Sequence, residues 1–193
     1  MLREGIAAVL ASEPDMSLVA EASNGREAVD LFRTHHPDVT LMDVQMPEVN
    51  GIDAIIKIRD EFPDARIIVL TTYSGDAQAA RAFKAGASGY LLKNMVRKEL
   101  IDTIRTVHAG KKRIPPEIAV GMAEHHSDDA LTEREIEVLR EVAAGNANKM
   151  VAQLLHVSEE TIKAHMKSIL SKLGANDRTH AVTIALKRGI IEI

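Results

Sequence analysis

The stretch Val39-Thr40-Leu41-Met42-Asp43-Val44-Gln45-Met46-Pro47 decides the fold. A short apolar run stops at a carboxylate and a proline soon follows, which suits a buried strand giving way to a loop and not a helix. In open parallel sheets, ligands bind in the crevice beyond the strand C-termini, so Asp43 stands where chemistry is expected. An aspartate after a strand equally well caps a turn or the next helix. Its neighbours have to decide between the two.

Outward from this run, the first half of the chain alternates short apolar segments with amphipathic ones. That pattern predicts a parallel sheet with crossover helices. Strands are expected at 17–22, 39–42, 66–71 and 89–92, and helices at 2–10, 25–34, 52–62, 76–85 and 97–109. Asn24 is placed to cap the helix at 25–34 by accepting from backbone N–H groups that have no intrahelical partner.

Periodicity weakens from Gly110 to Ala130, where Lys111-Lys112-Arg113, Pro115-Pro116 and His125-His126-Ser127-Asp128-Asp129 follow one another. Pro116 suits the first position of a short helix reaching Met122, but the composition marks a boundary. The paired histidines lack further ligands nearby and read as solvated linker more readily than as a metal site. The expected division is therefore a first domain at 1–109, a linker at 110–129 and a second domain at 130–193.

Beyond Leu131 no strand is expected. Thr132-Glu133-Arg134-Glu135 has the form of a capping box, and Leu131 and Ile136 flank it as a hydrophobic staple. Further helices are expected at 147–155, 159–173 and 178–187, giving a small all-α unit. On 159–173, Ile162, Met166, Ile169, Leu170 and Leu173 form one apolar stripe, while Lys163, Ala164, Lys167, Ser168 and Ser171 lie elsewhere. The preceding helix joins it through His156-Val157-Ser158, the short connection of a helix-turn-helix, with Ser158 as cap. Alone, such a helix is an ordinary core element with a solvated lysine face.

Composition sets limits on function. A chain of 193 residues suits two cores better than one. The absence of cysteine excludes disulfides, thiolate metal sites and thiol nucleophiles. A net charge of −4 leaves any nucleic-acid affinity to a local patch. No segment has the pattern of a signal peptide or a membrane span, so a cytoplasmic protein without membrane contact is expected.

Three residues bring chemistry to the sheet. Thr71 closes the third expected strand and Lys93 the fourth, so a hydroxyl and an ammonium converge on Asp43. The set suits phosphoryl transfer, with Asp43 as nucleophile, Lys93 neutralising phosphoryl charge and Thr71 donating to a phosphoryl oxygen. Together with Asp43-Val44-Gln45-Met46-Pro47, Gly51 and Tyr90, this half resembles a response-regulator receiver, which has a flavodoxin-like fold. The resemblance implies Asp43 as phosphoacceptor, Thr71 as switch hydroxyl, Tyr90 as switch aromatic and Lys93 as the charge-neutralising lysine.

The sequence departs from that family at its start. Receivers begin with a strand ending in two acidic residues, which bind Mg²⁺ with the phosphoacceptor and a backbone carbonyl two positions later, here that of Gln45. Leu2-Arg3-Glu4-Gly5-Ile6 already matches the first helix, so strand and acidic pair are missing and an N-terminal truncation is expected. With Asp43 and the Gln45 carbonyl alone, Mg²⁺ binding should be weak or absent, and the chain a poor phosphoacceptor.

The second half resembles the LuxR/NarL/FixJ type of DNA-binding domain through Leu131-Thr132-Glu133-Arg134-Glu135, Val138-Leu139, Gly145, Asn148-Lys149, Val157-Ser158, Thr161, Lys163-Ala164-His165 and Lys172-Leu173. By that likeness Lys163, Ala164 and Lys167 face bases in the major groove, while Lys149 and Thr161 hold phosphates. Ala164 suits a thymine methyl. His165 sits beside the packing stripe, and the helix at 178–187 serves as dimer contact.

The combined expectation is a two-component response regulator, not an enzyme. A sensor histidine kinase would phosphorylate Asp43, and a homodimer would bind promoter DNA at paired half-sites, with RNA polymerase as a further allowed partner. A phosphorylation-independent or dominant-negative DNA-binding regulator with a degenerate receiver is the alternative. A nucleotide-binding enzyme is disfavoured, since no glycine-rich phosphate loop follows any strand.

Overall fold

The computed structural model describes residues 2–72, 74–124 and 130–191, so His125 to Asp129 of the expected linker lie outside the described residues. The chain divides into two compact units, one of 1–72 with 79–116 and one of 73–78 with 117–193.

Up to residue 116 the elements run α1 (Leu2–Ala11), α2 (Gly25–His35), β1 (Thr40–Asp43), α3 (Gly51–Glu61), β2 (Ile67–Thr71), α4 (Asp76–Lys84), β3 (Gly89–Leu92), a 3₁₀ turn (Lys93–Met95) and α5 (Val96–His108), all in the first unit but for the first three residues of α4. The sheet is three-stranded and parallel in the order β1-β2-β3. β2 is central, and all of Ile67-Ile68-Val69-Leu70-Thr71 is buried, which is why its sequence is a continuous apolar run and not an alternating one. Ile68, Leu70 and Leu91 share a core with Ile6 and Leu10 of α1 and Leu100 and Val107 of α5. Ile67 and Val69 turn to the opposite face. Each such side chain contributes about 2 kcal/mol on full burial.

The strand expected at 17–22 does not form. Among the described residues the segment joins no strand ladder, and Leu18 and Val19 are 45% and 51% exposed. A strand is defined by its ladder, and among the described residues no strand lies beside this segment or beside the outer edge of β1. The other side of the sheet is partly occupied. Tyr90 N–H donates to the Arg113 carbonyl oxygen (3.0 Å) and Arg113 N–H to that of Ser88 (3.0 Å), so residues just after α5 pair with β3.

The helix expected from Pro116 forms as α6 (Pro116–Glu124). The second unit then runs α7 (Glu133–Ala143), α8 (Asn148–Leu154), α9 (Glu159–Leu173) and α10 (Arg178–Lys187). Its core joins Val138, Leu139 and Val142 of α7, Val151 of α8, Ile162, Met166, Ile169 and Leu173 of α9, and Ala181 and Ala185 of α10. Thr132 accepts from Glu135 N–H while the Glu135 carboxylate accepts from Thr132 N–H, completing the capping box. Among the described residues, no helix is long and apolar enough to cross a membrane.

Candidate functional site

Register places the first candidate site. Asp43 ends β1 opposite Leu70, and Thr71 ends β2 opposite Leu92, so Lys93 leaves β3 at the same edge of the sheet. Lys93 does not belong to the strand; it opens the 3₁₀ turn. Its ammonium donates to Asp43 Oδ2 at 2.6 Å, with the two side chains 21% and 30% exposed. Gln45 N–H donates to Asp43 Oδ1 at 3.0 Å. The carboxylate is thus held from both oxygens, one by a movable ammonium and one by its own loop.

That loop is fixed by a close approach. Gly51 N–H donates to the Val44 carbonyl oxygen (3.0 Å), and a methyl group on Gly51 would overlap the Asp43 carbonyl oxygen. Asn50 caps α3 by accepting from Asp53 N–H at 3.0 Å. The start of α3 and the end of β1 are therefore locked together within the turn that presents Asp43. Thr71 is 2% exposed and Tyr90 1%, with the Tyr90 ring tilted against Phe83 at a centroid distance of 6.4 Å.

The donors on hand do not fit a magnesium shell. Mg²⁺ takes near-octahedral oxygen ligands, and here the expected set is Asp43 and the Gln45 carbonyl. Among the described residues no three His, Asp or Glu side chains are grouped to hold a metal.

The second candidate site is the outward face of α9. Ser158 caps this helix by accepting from Thr161 N–H (3.1 Å), and the two hydroxyls lie 2.8 Å apart. His156 takes a left-handed conformation (φ 55°) in the turn from α8, a geometry that histidine tolerates better than branched residues do. Lys149, Lys163, Ala164 and Lys167 are exposed, whereas Thr161 and His165 are half-buried. Lys163 is not free, since its ammonium lies 3.0 Å from Glu160 and 3.7 Å from Glu159. The hydrogen bond it donates to Glu160 and the two nearby negative charges raise its pKa.

A further network went unread in the sequence. The buried Glu135 carboxylate accepts from Lys172 (2.8 Å), Ser168 (2.7 Å) and the Thr132 hydroxyl (3.1 Å) as well as from the cap N–H, tying α7 to α9. Only the capping-box spacing hinted at it.

Known families match both halves of the chain. The family "Response regulator receiver domain" matches residues 1–105, and "Bacterial regulatory proteins, luxR family" matches residues 129–185. The chain belongs to the response regulators that join a receiver to a LuxR-type helix-turn-helix, and it is a two-component, DNA-binding transcription regulator. It is similar to the transcriptional regulatory protein DegU of Brevibacillus brevis, with 35% identity covering 100% of this chain and 92% of the relative. Among solved structures it is similar to the response regulator ChrA of a heme-sensing two-component system, at 35% identity and TM-score 0.54, covering 98% of this chain and 93% of that one. It is also similar to RcsB of Salmonella enterica serovar Typhimurium bound to promoter P1flhDC with phosphomimetic BeF3⁻, at 26% identity and TM-score 0.71, covering 97% and 93% of the two chains. Receivers of this family typically bind Mg²⁺.

Proposed function

We propose that a sensor histidine kinase transfers a phosphoryl group to Asp43 and that the protein then binds promoter DNA through α9. The observation that carries the first part is the 2.6 Å pair between Lys93 Nζ and Asp43 Oδ2 at the C-terminal edge of the sheet. In the transfer the bond from phosphorus to the kinase histidine breaks and a bond to an Asp43 carboxylate oxygen forms. Lys93 then turns from the carboxylate to the phosphoryl oxygens, whose charge it neutralises. Thr71 donates to a phosphoryl oxygen, and Tyr90 moves with Thr71 as the switch. Mg²⁺, when bound in this family, supplies further neutralisation of phosphoryl charge. In this chain its binding is weak, because the donor set is poor.

For DNA, Lys163, Ala164 and Lys167 face bases and Lys149 and Thr161 hold phosphates. The exposed lysines opposite the packed stripe support that orientation. Binding is by a homodimer on paired half-sites, with α10 as the dimer contact, in the cytoplasm and with RNA polymerase as a downstream partner. The domains are a receiver at 1–109, a linker at 110–129 and the DNA-binding domain at 130–193.

Intact-mass measurement tests the first part. A phosphorylated histidine kinase should add one phosphoryl group to the wild type and none to Asp43→Asn, while a small phosphodonor with Mg²⁺ should add it only slowly. Transfer to the Asn variant would remove Asp43 from its role, and rapid addition from the small donor would remove the weak-metal reading. For the second part, Lys167→Ala should lower affinity for a bound promoter duplex about tenfold and reduce the salt slope by about one, with folding unchanged. Unchanged binding in a salt-controlled titration would overturn the orientation of α9.

A further inference from the structure

The outward stripe of α9 has one more member than the lysines and alanine named above. Glu160, Lys163, Ala164, Lys167 and Ser171 recur at helical spacing and are all exposed, opposite the buried Ile162, Met166, Ile169 and Leu173. Glu160 stands at the N-terminal end of this stripe, the end of a recognition helix that contacts base edges. Its side chain is 82% exposed and pairs with Lys163 at 3.0 Å. With Glu159 beside it, the first turn holds two carboxylates against the single ammonium of Lys163 from the next turn, a net negative tip on the helix that would enter a polyanionic groove.

A carboxylate in that position is repelled by phosphates, so its entry must be offset by a donor that only a base can supply. The major groove presents two exocyclic amino donors, on adenine and on cytosine. The adenine amino group lies beside N7, an acceptor for which a carboxylate has no proton. The cytosine amino group has no acceptor of its own base beside it. Resting on the α9 reading above, we propose that Glu160 is a specificity-determining residue that accepts from the amino group of a cytosine in the half-site, with Lys163 beside it donating to a neighbouring guanine.

The experiment uses the full chain and a pool of duplexes randomised across the recognised segment, selected at fixed salt and sequenced, with wild type, Glu160→Ala, Glu160→Gln and Lys167→Ala in parallel. The wild type should favour C·G at one position by about tenfold or more. Glu160→Ala should lose that preference alone, with overall affinity equal or higher because a negative charge has left the groove. Glu160→Gln should turn the preference at that position towards A·T, since an amide matches the adenine acceptor and donor together. Base preferences that are the same in Glu160→Ala and wild type would overturn the proposal, as would loss of a guanine preference only, which would make Glu160 a mere support for Lys163. If Lys167→Ala selects and binds as wild type does, the orientation of α9 itself fails; if Lys167→Ala weakens binding while the Glu160 variants keep wild-type preferences, only the role of Glu160 fails.

Discussion

Glu135→Ala should destabilise the second unit by about 3 kcal/mol or more, the size expected when one member of a buried, hydrogen-bonded ion pair is removed and the other is left. The Glu135 side chain is 5% exposed and that of Lys172 25%, and without the carboxylate the ammonium keeps only its bond to the Ala130 carbonyl oxygen (3.3 Å) among the described residues. The same substitution removes half of the capping box and the hydrogen bond to Ser168. In a small domain each kcal/mol lowers the melting temperature by about 4–8 °C, so a drop of more than ten degrees is expected by circular dichroism. A melting point within a few degrees of wild type would mean that the network contributes little.

The carboxyl also sets a pH dependence. Burial raises its pKa, but the hydrogen bonds from Lys172, Ser168 and Thr132 outweigh burial and bring it from 4.5 down to about 2. A depressed folded-state pKa contributes stability that is complete above the unfolded value and fades as pH falls towards the folded one. The window is therefore from 4.5 down to about 2, with about 3 kcal/mol at stake across it. Urea unfolding of wild type should weaken through that window more steeply than that of Glu135→Gln, which keeps the shape and loses the titration. Parallel curves would refute the assignment.

Gly51→Ala should be as damaging in the first unit. The added methyl meets the Asp43 carbonyl oxygen and the Val44 backbone, neither of which can rotate away as a flexible side chain could. Overpacking costs up to about 3 kcal/mol, and a backbone obstacle puts this case at the upper end. Because α3 must retreat from β1, the loop carrying Asp43 shifts relative to Lys93, and phosphoryl acceptance from the kinase should fall about a hundredfold, as for a misplacement of about 1 Å. A variant with wild-type unfolding midpoint and wild-type acceptance would show that the close approach relaxes at no cost.

Which features the sequence revealed follows from how local each one is. The stripe of Ile162, Met166, Ile169 and Leu173 is repeated within one helix, so α9 was legible to its ends, as was α10. The caps at Asn24, Thr132 and Ser158 span only a few residues and were legible too. The segment at 17–22 has strand-like composition, yet a strand depends on a neighbour that no local window contains. Asp43 and Lys93 are 50 positions apart, and their meeting was legible because each follows a strand of one parallel sheet and so falls at the same edge. Glu135 was legible as a cap residue, but its bonds to Ser168 and Lys172 depend on how α7 docks on α9, which spacing does not report.

The sheet's two sides differ in a way that bears on self-association. At β3 the Arg113 backbone uses the groups at Ser88 and Tyr90, whereas among the described residues nothing pairs with the outer edge of β1. Unpaired edges template further strands. With β3 bridged only at Ser88 and Tyr90, the outer edge of β1 is the longer run of backbone on which a further strand can pair among the described residues.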